Sequence, residues 1–181
     1  ARLIIEGVLT EQRKVLTEPE SIAVLRAFHI PAVQNAVAHS PNEALIIAQS
    51  IGFPIAMKVL STNISHKSDA GGVRLNINSA QEVRGAYRDL LEQVAARVPG
   101  AAIEGVTIEK MYRSPNGREL MIGILRDPVF GPVISFGSGG IGVEIMGDSA
   151  ISLPPLNRRL ALDLINRTRV SRMLASFRHM P

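Results

Sequence analysis

Three helix starts written in one grammar, with short β-like runs between them, constrain this chain more than anything else in it. Thr17-Glu18-Pro19-Glu20, Ser40-Pro41-Asn42-Glu43 and Ser79-Ala80-Gln81-Glu82 each set a hydroxyl three residues ahead of a glutamate. In that capping box the hydroxyl and the carboxylate take up backbone N–H groups that a first helical turn leaves without partners. Pro19 and Pro41 fall in the first turn, where a missing N–H costs nothing. The first helix is predicted to end near His29, ahead of Ile30-Pro31, and the second near Gly52. The third carries Val83, Ala86, Tyr87, Leu90, Leu91 and Val94 on one face and runs to Pro99-Gly100.

Between these helices, residues 32–38, 54–60 and 73–77 read as strands, the last with clean alternation. A second set follows at 105–112, 119–125, 133–136 and 142–145, and a closing helix is expected over 157–177. Asn116-Gly117 between two apolar runs is a strong hairpin signal, predicting that the strands on either side of it pair. Alternating elements followed by an antiparallel-looking group predict an α+β arrangement of two lobes. The boundaries read from the sequence are a linker over 1–15, a first lobe over 16–103 and a second lobe over 104–181.

Composition narrows the classes. With 181 residues and 46% apolar content, the chain is long enough for one domain or two small lobes. It contains no cysteine, which removes disulfides and thiolate metal sites and fits a cytoplasmic setting. No long apolar run suggests a membrane span. The net charge of +4 is concentrated late, with Arg158, Arg159, Arg167, Arg169, Arg172 and Arg178 against Asp163. A solvated helix face is the simpler account of that cluster. Two Tyr, five Phe and no Trp supply too little aromatic interleaving for a single-strand nucleic-acid binder. Ala1 at the start, and an end at Met180-Pro181, read like an excised piece of a longer polypeptide.

The chemistry-bearing stretch is Ile64-Ser65-His66-Lys67-Ser68-Asp69-Ala70-Gly71-Gly72-Val73. It brings an imidazole, an ammonium and a carboxylate beside a Gly-Gly step, an inventory able to hold and move a phosphoryl group. Lys58, in an otherwise apolar run, either snorkels to solvent or points a charge into a cleft. Glu109, in a β-like run, is either an exposed strand acid or a carboxylate aimed at an adenine edge. Glu144 and Asp148 flank a segment after the Gly137-Ser138-Gly139-Gly140 cluster and, four residues apart, could bind Mg²⁺, although loop acids are more often simply solvated. Asp127-Pro128-Val129-Phe130-Gly131-Pro132 reads as a turn. Neither a dinucleotide-binding glycine fingerprint nor a Walker lysine motif is present, so a nucleotide would have to sit between lobes.

The order of motifs carries a resemblance. Leu16-Thr17-Glu18-Pro19-Glu20, Gly52-Phe53-Pro54 followed by Lys58, His66-Lys67 and Gly71-Gly72-Val73 form its first half. Gly117-Arg118-Glu119-Leu120, Asp127 to Gly131, Phe136-Gly137, Gly139-Gly140, Val143-Glu144, Asp148 and Pro154-Pro155-Leu156 form its second. As a series these resemble the ATP-grasp portion of the NDP-forming acyl-CoA synthetase superfamily, from about Leu16 onward. Phe28-His29-Ile30-Pro31, Leu120-Met121-Ile122-Gly123 and Leu153-Pro154-Pro155-Leu156-Asn157 look more like the bacterial protein lysine acetyltransferases with a fused synthetase-like region than like the ADP-forming acetate-CoA ligases.

The resemblance implies an ATP-grasp-type two-lobe domain, cut off before its last strands, that binds ATP. On the leading reading it is a regulatory nucleotide-binding fragment of a protein lysine acetyltransferase, inactive by itself. The alternatives are the phosphohistidine-relay part of an ADP-forming acetate-CoA ligase, or a degenerate scaffold or oligomerisation module. By resemblance Lys58 matches a phosphate-binding lysine, and Lys67, Gly71 and Gly72 match the loop over the phosphates. Glu109 and Met111 match the adenine-facing connection, Glu144 a residue near the nucleotide, and His66 a histidine that accepts phosphate. The Asp-x-Asn-Pro-Leu strand and later Asp that complete the family's metal site have no counterpart here, so no metal ligand is assigned and Mg²⁺ is expected only with those further strands. Expected partners are the nucleotide, the rest of the parent protein with its acyl-CoA-binding domains, and further copies in a homo-oligomer, with neither nucleic acid nor a membrane.

Overall fold

The computed structural model describes residues 1–64, 66–112, 114, 117–140 and 147–174. The chain divides into two compact units, residues 1–112 and 113–181.

In the first unit, residues 1–15, read as a linker, contain the helix α1 (Arg2–Thr10), which buries Val8. The three capped helices follow as α2 (Glu18–Ala27), α3 (Pro41–Ile51) and α4 (Ala80–Arg97). The backbone N–H and the hydroxyl of Thr17 both donate to Glu20 Oε2, at 2.7 and 2.8 Å. Ser40 Oγ accepts the Glu43 N–H at 3.2 Å, and Glu43 Oε2 accepts the His39 N–H at 2.6 Å. The capping chemistry of the sequence therefore sets the helix starts.

Strands β1 (Asn35–Ala38), β2 (Ile55–Leu60), β3 (Val73–Ile77) and β4 (Gly105–Lys110) form one antiparallel sheet in the order β1-β4-β2-β3. Helices α3 and α4 pack on one face of it. Ile55, Met57, Val106 and Ile108 point into that core and meet Ala44 and Ala48 of α3 and Val83, Tyr87 and Leu90 of α4. Leu90 and Val83 are fully buried, so truncating either to Ala should cost roughly 2–5 kcal/mol. Because side chains alternate along a strand, Ala56, Lys58, Thr107 and Glu109 lie on the opposite face.

The position of β4 departs from the sequence reading. It was grouped with the second lobe and expected to form a hairpin with the strand after Asn116-Gly117. Instead both of its edges are filled, by β1 and β2 of the first unit. The Ser114–Gly117 turn does close, with the Gly117 N–H donating to Ser114 O at 3.0 Å, although Pro115 and Asn116 lie outside the described residues. A local turn signal reports a reversal and says nothing about which strand each arm will pair with.

In the second unit, β5 (Leu120–Asp127), β6 (Gly131–Ser138) and β7 (Ser149–Ser152) form an antiparallel meander. The β5–β6 hairpin turns at Asp127, whose Oδ1 accepts the Val129 and Phe130 N–H groups at 2.8 and 2.9 Å. Gly131 then adopts φ +73°, which a side chain would resist. Helix α5 (Arg158–Asn166) packs Leu164 against Phe136. The single closing helix expected over 157–177 is broken: after Arg167–Val170 the chain resumes as the short α6 (Ser171–Leu174). The strand expected over 142–145 lies outside the described residues. Among the described residues no helix is long and apolar enough to cross a membrane.

Candidate functional site

Strand β2 delivers Lys58 to the sheet face away from the helical core, and β4 delivers Glu109 to the same face. Lys58 stands opposite Thr107 in the register, with Glu109 opposite Ala56, so lysine and glutamate are diagonal neighbours. Their ammonium and carboxylate are in direct contact. Glu18, in the first turn of α2, adds a second carboxylate: its Oε1 accepts from Lys58 Nζ at 3.1 Å, and its Oε2 lies 3.6 Å from Lys67 Nζ. Two ammonium groups and two carboxylates thus form one half-buried cluster.

The charges in it are tuned by competing effects. Burial, the largest influence on Lys58, favours its neutral form, but hydrogen bonds and charge from Glu109 and Glu18 outweigh this and hold its pKa above the ordinary lysine value. Burial likewise raises Glu109, with the negative charge of Glu18 adding to it, against the pull of Lys58. In Glu18 burial is again the largest influence, yet the charge and hydrogen bond of Lys58, a hydrogen bond with Glu109 and the charge of Lys67 together bring its pKa below the ordinary value. Beside the cluster on the same face, the Thr107 hydroxyl and the Asn35 amide nitrogen are buried without a hydrogen-bond partner among the described residues. Buried polar atoms of this kind are costly unless something bonds them, and they suit a ligand with polar edges.

The His66–Gly72 segment connects to the cluster through Lys67. Its turn is closed internally, since the Gly71 N–H donates to Ser68 O at 3.0 Å and the Gly72 N–H to Lys67 O at 2.7 Å. Both glycine N–H groups are therefore engaged within the loop. Gly72 O accepts the Val59 N–H at 2.8 Å, seating the loop against β2. A Cβ on Gly72 would fall 2.5 Å from Val59 Cγ1, so only glycine permits this approach. His66 is exposed and lines a cavity of about 320 Å³ with Asn63, Asp69 and Arg97. Lys67 lines a different one of about 190 Å³, with Thr17, Glu18 and Ser61.

Lys58, Lys67 and Glu109 are thus brought together, with Gly71 and Gly72 in the adjoining loop. Met111 follows β4, its N–H donating to Pro54 O at 3.1 Å and its sulfur accepting the Asn76 N–H at 3.0 Å. Glu144 lies outside the described residues. Asp148 is engaged elsewhere: its two oxygens accept the N–H groups of Arg169 and Val170, each at 2.7 Å. Those bonds, foremost the one from Arg169, hold its pKa below the usual aspartate value. Among the described residues no three His, Asp or Glu side chains gather in a metal-binding arrangement.

Two residues escaped the sequence reading. Glu18 was read only as part of a capping motif, where Glu20 performs the cap. The acid left over in the first turn was the available signal. Lys110 donates to the carbonyls of Gly52 and Phe53, at 2.9 and 2.8 Å, closing the C-terminal end of α3.

Residues 7–181 match the ATP-grasp domain family model. Over 178 residues the chain is 40% identical to the beta subunit of ADP-forming acetate–CoA ligase I from Pyrococcus furiosus, covering 98% of this chain and 75% of that one. It is 39% identical to ADP-forming acetate–CoA ligase I from Archaeoglobus fulgidus, where the match takes in 98% of this chain but only 25% of the longer protein. A structure of dinucleotide-forming acetyl-coenzyme A synthetase 1 from Ca. Korarchaeum cryptofilum, with coenzyme A and Ca-AMPCP, superimposes with a TM-score of 0.92 at 38% identity, over 99% of this chain and 77% of that one. The same enzyme with a phosphorylated phosphohistidine segment gives a TM-score of 0.87 at 35% identity, over 99% of this chain and 77% of that one. These relatives support the ligase alternative and lend nothing to the acetyltransferase reading. The chain belongs to the ATP-grasp domain family, in the branch formed by the beta subunits of ADP-forming acetyl-CoA synthetases.

Proposed function

We propose that this chain is the nucleotide-binding part of an ADP-forming acyl-CoA synthetase, and that its His66 relays a phosphoryl group between acyl phosphate and nucleotide. The observation that carries the reading is the Lys58–Glu109–Glu18–Lys67 cluster, joined through Lys67 to the loop that presents an exposed His66. The relatives that share this fold are ligases, and one of them holds a phosphorylated phosphohistidine segment.

The residues fit ATP. Lys58 and Lys67 supply positive charge for phosphate oxygens, and the unpartnered Asn35 and Thr107 groups suit the polar edges of a nucleotide. Glu109 and Met111 border the same end of β4 and would meet the adenine side. The nucleotide supplies the phosphoryl acceptor or donor. The His66 imidazole, exposed beside the glycine turn, would attack the acyl phosphate so that a nitrogen–phosphorus bond forms as the bond to the acyl carboxylate oxygen breaks. Transfer to ADP then reverses the exchange at the imidazole and frees it. Mg²⁺ would accompany the nucleotide, and no ligand for it is assigned among the described residues. In the second unit, β5 presents Ile122 and Ile124 to solvent, a surface suited to the rest of the parent protein or to another copy.

The test is to incubate the complete protein with γ-labelled ATP and Mg²⁺ and look for acid-labile, base-stable phosphate. The expected result is a label on wild type that is lost in His66→Ala while nucleotide affinity is kept. Label retained in that variant, or none on wild type, would sink the relay.

A further inference from the structure

We infer that Glu18 is a positioning residue that ties the nucleotide-face lysine to the phosphoryl-accepting loop, so that both answer to the same anion. The inference rests on the relay reading above. One carboxylate spans the two ammonium groups, with Oε1 at 3.1 Å from Lys58 Nζ and Oε2 at 3.6 Å from Lys67 Nζ. Lys67 directly follows His66, so the tether acts next to the reacting imidazole.

Glu18 is a firm anchor because its backbone is locked on both sides. Glu20 accepts the Thr17 N–H and hydroxyl, and Arg13 grips the same carboxylate in bidentate fashion at 2.6 and 3.0 Å. From the other direction, the Gly72–Val59 bond fastens the far end of the loop to β2, one residue beyond Lys58. The loop is therefore held by backbone on β2, by the burial of Ala70 against Val59 and Val94, by Arg97 Nη1 of α4 donating to Asp69 O at 3.3 Å, and by charge on α2. Of these, the contact between Glu18 and Lys67 is the one that a phosphate on the lysine displaces. Phosphate oxygens approaching Lys58 and Lys67 compete with Glu18 for both ammonium groups, so the carboxylate lowers nucleotide affinity while it holds the loop in place.

This makes the two consequences of losing the charge opposite in sign. Without Glu18, Lys67 is freed for phosphate and Lys58 keeps only Glu109 as a competing carboxylate, so nucleotide binds more tightly. Without the tether the loop wanders, so transfer at His66 slows. A residue that merely held the fold together would weaken both.

The experiment compares Glu18→Gln, Glu18→Asp and Lys67→Met with wild type in the complete protein. It reads ATP and ADP affinity by calorimetry, labelling rate at His66, and amide exchange across 66–72. Glu18→Gln is expected to bind nucleotide several-fold more tightly, to label about tenfold more slowly and to exchange faster at 67–72. Glu18→Asp should recover part of the labelling rate, and Glu18→Gln combined with Lys67→Met should exchange no faster than the worse single variant. Affinity and labelling falling together with a lowered Tm, or unchanged loop exchange, would overturn the inference. If wild type takes no label, the relay reading fails, while loop exchange and nucleotide affinity still decide the tether.

Discussion

Lys58 stands opposite Thr107 in the β2–β4 register, yet its ammonium contacts the carboxylate of Glu109 one pleat further along. The lysine thus serves two acids at once, and removing it leaves Glu18 and Glu109 facing each other in a half-buried setting. Lys58→Met should lower nucleotide affinity by about 1–3 kcal/mol, read by calorimetry. It should also lower stability in urea, and adding Glu109→Gln should restore part of that loss. Equal stability of the single and double variants would show that the cluster is not coupled.

Gly72→Ala should displace the loop from β2. The added Cβ would sit 2.5 Å from Val59 Cγ1 and 3.1 Å from Lys67 O, and neither neighbour has room to yield without moving backbone. The expected cost is roughly 1–3 kcal/mol, with faster amide exchange at Val59 and Gly72. Gly85, whose added Cβ would meet nothing within 4 Å, is the control: Gly85→Ala in α4 should leave stability equal or higher.

Acid should weaken the first unit through Glu20. The hydrogen bond from Arg13, ahead of those from Thr17, holds its pKa at about 2 against an ordinary value of 4.5. A depressed carboxylate stabilises the fold above its unfolded value, and that contribution disappears as pH falls from about 4.5 toward 2. Solvent screening limits the effect to on the order of 1 kcal/mol. Urea unfolding at pH 6 and at pH 3 should show a larger drop for wild type than for Glu20→Gln. Matching drops would remove Glu20 as the source.

In the second unit, Asp148→Ala should unfasten the break between α5 and α6. The wild-type carboxylate accepts the Arg169 and Val170 N–H groups, and Arg169 Nε lies 3.7 Å away. The variant is expected to exchange quickly at Val170 while Leu90, in the first unit, keeps its protection. Unchanged exchange at Val170 would assign the break to Thr168, whose hydroxyl donates to Ile165 O at 2.7 Å.

What was legible in the sequence was local. The starts of α2, α3 and α4, the strand at 73–77 and the Asp127 turn depend on neighbours within a few residues, and they come out where expected. The ends of α3 and α4 do as well. The clean alternation in 73–77 does not, since the pairing with β2 shifts register between Ile55 and Met57 and Leu75 is exposed. The Ser79 hydroxyl donates to Glu82 rather than capping α4. Strand partnership is not local, so the Asn116-Gly117 signal gave no warning that β4 belongs between β1 and β2. The break after Asn166 was hidden for the same reason, since the carboxylate behind it comes from Asp148, 21 residues before Arg169. Lys58 and Lys67 were found by residue type, but their shared carboxylate was not, because Glu18 lies 40 residues from Lys58 in the chain.

The strand order β1-β4-β2-β3 also sets a timetable. As the chain leaves the ribosome, β2 and β3 can pair early, but β1 and β2 have no common neighbour until residues 105–110 have been made. The face that carries Lys58 is completed by the last strand of its sheet to be synthesised. Long-range pairing of this kind slows folding, because loop-closure entropy is lost before the contacts form. Until β4 arrives, two strand edges stay open to any other unfinished chain, which makes this stretch of synthesis the interval when a chaperone matters most.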